Sequence, residues 1–188
     1  MIFAHLLTDV NEANMFIIAC EKTRRALLVD AASFDPRIQS FLEAHDLSLE
    51  SVFITHDHYD HTGELAAITH AFKPAVYAGA ASVAGIPVAC VKQDDALTLG
   101  DIEMRVIELP GHTHESIGLV LPDMVFTGDA LFAGSIGGTV NERAKKREID
   151  AIRNQVFSLP DDYLVHTGHG PSSTVGVEKR YNPFFVRQ

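Results

Sequence analysis

The chain lacks any long apolar run. Its longest clean one, "MFIIAC" at residues 15 to 20, is far too short to cross a bilayer. The N-terminal "MIFAHLLTDV" has no basic n-region, which argues against a secretory signal. Cysteine is scarce. Cys20 and Cys90 each sit in an apolar setting and belong to no CxxC, so they read as two buried, reduced thiols of a cytoplasmic protein. Positive charge is in the minority, and a formal net charge of −10 argues against a nucleic-acid backbone as the main partner. No low-complexity segment, charge block or linker interrupts the 188 residues, so a single domain over 1–188 is expected. No membrane association is expected, and the expected form is a monomer or a homodimer. The apolar share of 46% is that of a folded chain with a core.

Hydrophobic periodicity gives the order of elements. "IFAHLLT", "NMFIIAC" and "RALLVDA" read as strands separated by short polar turns. Residues 35 to 45 place Ile38, Phe41, Leu42 and His45 at helical spacing, with Asp35 as N-cap and Pro36 at the first helical position. "SVFIT" at 51–55 is a buried strand by its nearly continuous apolar run, and Leu65, Ile68, Thr69 and Phe72 then trace one helical face. In the second half "EMRVIEL", "SIGLVL", "MVFTG" and "YLVHT" read as strands, and Ile149, Ile152, Val156 and Phe157 share a helical face. Strands come first in each half and helices later. That order favours sheets packed face to face with helices outside over a βαβαβ parallel sheet.

The stretch "ITHDHYDHTG" collects His56, His58, Asp60 and His61 within six positions. Neutral imidazole and carboxylate are both metal ligands. In an extended segment His56, His58 and Asp60 project to one side and His61 points away. On a helix His58 and His61 share a face, but His56 does not. A loop that leaves the strand and turns into a helix near Thr62 aims them in two sets, which suggests two neighbouring ions. Three further loops after strands carry matching groups beside glycine: His112 and His114 in "LPGHTHES", Asp129 in "FTGDALF", and His166 and His169 in "HTGHGP". A carboxylate after "VFT" is expensive near a core unless paired or metal-bound. A closed structural zinc site is excluded by the absence of nearby cysteine and the surplus of ligands. A metal-dependent (β/α)8 barrel needs about 250 residues, and no HExxH is present.

Taken together and in order, "THDHYDHTG", "GHTHES", "TGDALF" and "TGHGP" resemble the successive metal-binding motifs of the metallo-β-lactamase superfamily. Within it the chain resembles the short, single-domain glyoxalase II-like (hydroxyacylglutathione hydrolase-like) hydrolases, over most of its length and including the tail "VEKRYNPF". The resemblance implies a four-layer αββα sandwich, with two mostly antiparallel mixed sheets, helices outside and a dinuclear site at one edge. It implies that His56, His58 and His112 hold a first divalent ion, that Asp60, His61 and His169 hold a second, and that Asp129 bridges them. Zinc is the expected metal, with iron or manganese as the other candidates. Asp129 and Asp60 are the expected catalytic residues, Asp60 by orienting water activated between the ions. The implied activity is hydrolysis of a small-molecule thioester such as a hydroxyacylglutathione.

The sequence departs from the family pattern in three places. His114-Glu115 replaces the common Pro-Gly, Gly138 stands where a basic residue commonly follows "GSIG", and the helical C-terminal domain of larger glyoxalase II enzymes is not seen. These departures bear on the thiol half of the substrate. The metal ligands are untouched. Gly111 selects His112 as the ligand of its pair, so His114 reads as a rim histidine. His166, within a strand, reads as a packed or hydrogen-bonded residue. His5, His45 and His70 read as ordinary surface or core-edge residues. Tyr59 reads as exposed or lining the mouth of the site. Arg143, Lys145, Lys146 and Arg147 read as a solvated helix start. Two rivals remain: a mononuclear-iron persulfide dioxygenase, which the retained His169 disfavours, and a metal-binding module without catalysis, disfavoured because no ligand is missing.

Overall fold

The computed structural model describes residues 1–186. The first sheet runs in the order β1 (Ile2–Leu7), β2 (Asn14–Ala19), β3 (Arg25–Val29), β4 (Ser48–Ile54), β5 (Ala75–Ala78) and β8 (Ala89–Cys90). Between its last two strands lies a small ribbon of β6 (Ser82–Val83) and β7 (Ile86–Pro87). The second sheet runs in the order β16 (Ser173–Thr174), β15 (Leu164–Thr167), β12 (Met124–Gly128), β11 (Ile117–Leu121), β10 (Ile102–Glu108) and β9 (Ala96–Leu99), with a ribbon of β13 (Leu131–Phe132) and β14 (Ser135–Ile136) beside it. Helices α1 (Pro36–Ala44), α2 (Tyr59–Thr62), α3 (Leu65–Phe72), α4 (Glu142–Gln155) and α5 (Val175–Tyr181) complete the chain. None of the described helices is long and apolar enough to cross a membrane.

Three layers of apolar packing define the four-layer αββα sandwich. Met15, Ile17, Leu28, Val52 and Ile54 meet Ile38 and Leu42 of α1 and Leu65 and Ile68 of α3. The alternate residues of the same strands, Phe16, Ile18, Leu27, Val29 and Phe53, meet Met104, Val106, Leu119 and Phe126 of the second sheet. Ile107, Val120, Val125 and Val165 then meet Ile152 of α4 and Val156 at its C-cap. Strand β2 and the second half of β4, from Ser51 to Ile54, are buried on both faces, which is why they read as nearly continuous apolar runs.

Both sheets are mixed. The second is antiparallel in all its pairs except β12 with β15. The first is antiparallel at β1–β2–β3 and parallel from β3 through β4 and β5 to β8. Its parallel part is a βαβαβ unit with α1 and α3 as crossovers, an arrangement the strand order had argued against for the molecule as a whole. Parallel neighbours need such a crossover. It matters here because it places the carboxyl end of β4 at the rim where β10, β12 and β15 of the second sheet also end.

Asp35 caps α1 as expected, its side chain accepting from Arg37 N, with Pro36 in the first turn. The tail motif also finds a structural reason. The buried Glu178 carboxylate accepts from Gly134 N and Asn182 Nδ2, and Asn182 Nδ2 also donates to Ser135 O. The tail thereby pins the β13–β14 ribbon that follows Asp129. One expectation is corrected. Both cysteines are free, but only Cys20 is buried; Cys90 is exposed, because it lies on the two-residue edge strand β8.

Candidate metal centre

The rim at the carboxyl ends of β4, β10, β12 and β15 gathers all seven expected donors. After Ile54 the chain bends at Thr55 and runs without regular structure to His58, which stands in extended conformation at the N-cap of α2, and then turns. His56 and His58, two apart on this segment, point to one group. Asp60 and His61, on the helical turn, point to the other. The donor atoms of His56, His58 and His112 lie within 4.8 Å of one another, as do those of Asp60, His61 and His169. A third set, His56, His61 and Asp129, overlaps both.

In the first group His56 Nε2 is 3.1 Å and His112 Nε2 is 3.0 Å from His58 Nδ1. In the second, His61 Nε2 is 3.2 Å from His169 Nε2, which is 3.4 Å from Asp60 Oδ2. Asp129 faces both groups: Oδ1 is 3.3 Å from His61 Nε2, and Oδ2 is 3.5 Å from His169 Nε2 and 3.7 Å from His112 Nε2. Gly168 makes this approach possible, since a Cβ there would stand 2.0 Å from Asp129 Oδ1 and 2.8 Å from His61 Cε1.

The outer hydrogen bonds fix which ring nitrogens face inward. His61 Nδ1 donates to Asp30 Oδ2 at 2.8 Å, His112 Nδ1 to Gly138 O at 2.8 Å, and His56 Nδ1 to Thr55 Oγ1 at 3.1 Å. Each bond leaves an Nε2 lone pair directed at its neighbours. Lone pairs about 3 Å apart repel unless a cation lies between them, and tetrahedral ligation at about 2.0–2.1 Å spaces donors by about 3.3 Å. Asp129 Oδ1 is buried with no hydrogen-bond partner. The residues therefore fit divalent metal, with three donors on each side and a shared carboxylate.

Electrostatics agree with that fit. Burial opposes charge on His61, but the Asp30 and Asp129 carboxylates outweigh it and lift its pKa to about 10. His56 is held far below the ordinary imidazole range by burial and then by the surrounding histidines. The centre is thus built to hold positive charge, beside His61 most of all.

Sequence reasoning missed the residues that hold the donors. Asp30, at the end of β3, accepts from Thr55 N, Thr55 Oγ1 and His61 Nδ1, so one carboxylate steadies His61 directly and His56 through Thr55. Asn11 Nδ2 donates to Asp60 Oδ2 at 3.1 Å. Asn14 Nδ2 donates to Thr167 O and Gly170 O, and Asn14 N to Gly168 O, clamping the loop that carries His169. Glu148 of α4 is fully buried. Its Oε1 accepts from His112 N at 3.0 Å while Oε2 has no partner. Burial, partly offset by that backbone bond, pushes its carboxyl up to about 8.

The other singled-out residues take less central places. His114 is exposed and in none of the donor groups. His166 is buried, with its Nδ1 sharing a hydrogen bond with Ser172 Oγ at 2.8 Å and its ring packed among Phe3, Phe16 and Phe126. His5 is exposed and donates to Asn14 Oδ1, and His45 and His70 are exposed. Tyr59 is exposed. Of the basic helix start, Lys146 pairs with Asp150 and Lys145 lies over the Phe184 ring, while Arg147 lines a cavity next to His112.

Known proteins share this arrangement of sequence and fold. The profile of the metallo-beta-lactamase superfamily matches residues 8–87. The chain is 31% identical to a "Probable metallo-hydrolase" of Streptococcus pyogenes, over 85% of this chain and 80% of that one. It is 34% identical to a hydroxyacylglutathione hydrolase of Vibrio cholerae over 79% of this chain, but spans only 58% of that relative's length. The crystal structure of ETHE1 from Myxococcus xanthus superposes with a TM-score of 0.89 at 32% identity, covering 97% of this chain and 84% of that one.

Proposed function

The chain belongs to the metallo-β-lactamase superfamily, and on that premise we propose that it is a metal-dependent thioester hydrolase of glyoxalase II type, acting on hydroxyacylglutathione-like substrates. The observation that carries this reading is the completeness of the second donor group. Asp60, His61 and His169 converge in addition to His56, His58 and His112, whereas a mononuclear iron oxygenase needs two histidines and one carboxylate. The likeness to a hydroxyacylglutathione hydrolase supports the substrate class.

In this reading His56, His58 and His112 hold one ion, Asp60, His61 and His169 the other, and Asp129 reaches both. A divalent pair, zinc in the first instance with iron or manganese as alternatives, supplies a Lewis acid for the thioester carbonyl and lowers the pKa of water to about 7. Asp60, steadied by Asn11, orients the attacking water and accepts its proton. Asp129 keeps the two groups in register. Asp30 and Gly138 O hold His61 and His112 in the tautomers that face inward. The water oxygen bonds to the acyl carbon, the carbon–sulfur bond breaks, and the retained proton passes to the thiolate, giving a carboxylic acid and a thiol. The partner is a small molecule. One chain provides all seven donors, so a monomer or homodimer suffices.

A second reading, a persulfide dioxygenase using one iron, is supported by the likeness to ETHE1. Thiol release from S-lactoylglutathione, followed beside an oxygen electrode, separates the two. We expect thioester turnover without oxygen uptake, and loss of most turnover in His169→Ala. Persulfide-dependent oxygen consumption by a sample that hydrolyses no thioester would sink the hydrolase reading.

A further inference from the structure

We propose that two adjoining hollows that start beside His112 and are lined by His114, Arg147 and, in the outer one, Lys92 bind the carboxylate-bearing thiol carrier of the substrate. The proposal rests on the thioester reading above and names where the half of the substrate remote from the reacting carbonyl is held.

Two hollows share a wall. One, of about 340 Å³, is bounded by the ligand His112 together with His114, Ala144 and Arg147. The other, of about 240 Å³, is bounded by Gly79, Lys92, Glu108, His114, Glu115 and Arg147. His114 and Arg147 belong to both. A molecule with its reacting end at His112 can therefore extend past these two side chains into the second hollow. Their combined size is that of a small-ligand site, about 300–1,000 Å³.

The second hollow is built, not incidental. The loop from His112 to Ser116 packs on the end of the first sheet so closely that a Cβ on Gly79 would stand 2.1 Å from Glu115 O. Lys92 Nζ donates to Gly79 O at 2.8 Å, which fixes the ammonium at the cavity. Within the loop, Thr113 Oγ1 and Ser116 Oγ bond at 2.8 Å.

The charges define the ligand class. Among the described residues neither Lys92 nor Arg147 forms an ion pair, in a chain whose formal net charge is −10. Two cations left available at one cavity favour a carboxylate, and guanidinium binds carboxylate as a bidentate fork. Glu108 and Glu115 on the same wall favour an ammonium group. Together they fit an amino-acid-derived carrier bearing both charges better than a neutral one. His114-Glu115, where the sequence departs from its family's pattern, lie in this wall.

Calorimetric titration of the metal-loaded chain with two unreactive carriers tests this without any turnover. S-methylglutathione carries carboxylates and an ammonium; S-methylpantetheine carries neither. We expect S-methylglutathione to bind about tenfold or more tightly than S-methylpantetheine. Arg147→Ala and Lys92→Ala should each weaken it by about tenfold, more weakly felt at high salt, and leave S-methylpantetheine unchanged. Thermal melting confirms that these surface variants fold. Equal binding of the two carriers, no binding of S-methylglutathione, or binding unmoved by both variants overturns the subsite. Thioester hydrolysis with any of these outcomes leaves the proposed activity standing and removes only this cavity from it. Carrier binding that follows the expected pattern in a protein that hydrolyses no thioester does the reverse.

Discussion

His56, His58 and His112 offer three neutral nitrogens, and the group reaches the surface: His58 is exposed and His112 half-buried. Asp60, His61 and His169 offer two nitrogens and a carboxylate, around a histidine that is wholly buried. Their supports differ as much as their donors. In the second group every member has an outside partner: Asn11 for Asp60, Asp30 for His61, and the Asn14 clamp for the loop of His169. In the first, among the described residues, the His58 ring has no hydrogen-bond partner except the two other histidines. The protein shapes the second group by itself. In the first, His56 is held through Thr55 and His112 by Gly138 O and Glu148, so only the His58 ring takes its place from whatever lies between the nitrogens, and the group is also the one next to the Arg147 cavity. Support for every member on one side and one adaptable ring on the other would suit a centre in which one ion is anchored and its neighbour meets substrate.

The largest effect is expected where the two groups share a donor. Asp129→Ala should lower metal content from two ions to one or fewer and cut turnover by about 100-fold or more, because an outer-shell partner alone is worth about 10- to 100-fold. Elemental analysis with full dinuclear occupancy in that variant would remove Asp129 from the bridging role.

A crossed experiment can break the contrast itself. Asp30→Asn should weaken the ion of the second group by about 10- to 100-fold and the first, which it reaches only through Thr55, by less. Glu148→Ala, which removes the acceptor of His112 N, should weaken the first by about tenfold and spare the second. Competition against a chromophoric chelator resolves the two binding steps. If both variants lose the same step, the two groups are not separately supported.

The smallest effect on either ion is expected at His166, three residues from His169 yet turned into the aromatic nest. Burial, and then His5, depress its pKa to about 4. Between about pH 6.5 and 4 the unfolded chain binds a proton here that the folded chain refuses, so this residue costs stability as pH falls through that window. The full cost is roughly 3 kcal/mol, at about 1.4 kcal/mol per pKa unit. His166→Phe should keep both ions at neutral pH, and its urea midpoint should fall less between pH 7 and 4.5 than that of the wild-type chain. An unchanged pH slope would place the acid sensitivity elsewhere.

The donors were legible because ligation uses residue types at short spacing, and a strand-to-helix turn sorts "HDHYDH" into two sets by geometry alone. Their supports were not, because each acts over a long sequence distance. Asp30 lies 31 residues from His61, and Glu148 lies 36 from His112. Signals did exist. Asp30 ends an apolar strand, the same cue that drew attention to Asp129. Glu148 precedes Ile152 by four residues and so shares its buried face, where a lone carboxylate is out of place. The exposure of Cys90 and the parallel half of the first sheet escaped for a related reason. The strands that decide them, β5 and β8, have four and two residues, too few to show a period.

The Asn14 clamp has a bearing on how the molecule comes into being. Its side chain reaches Thr167 O across 153 positions of sequence, and the donors themselves run from His56 to His169. Contacts of such separation form late, after the costly closure of long loops. A chain emerging from the ribosome holds the "HDHYDH" cluster early, but has no complete set of partners for it until His169 has been made. Metal capture would then come as a closing event of folding, and uptake of an ion in a refolding experiment would time the moment when the first strands and the last ones meet.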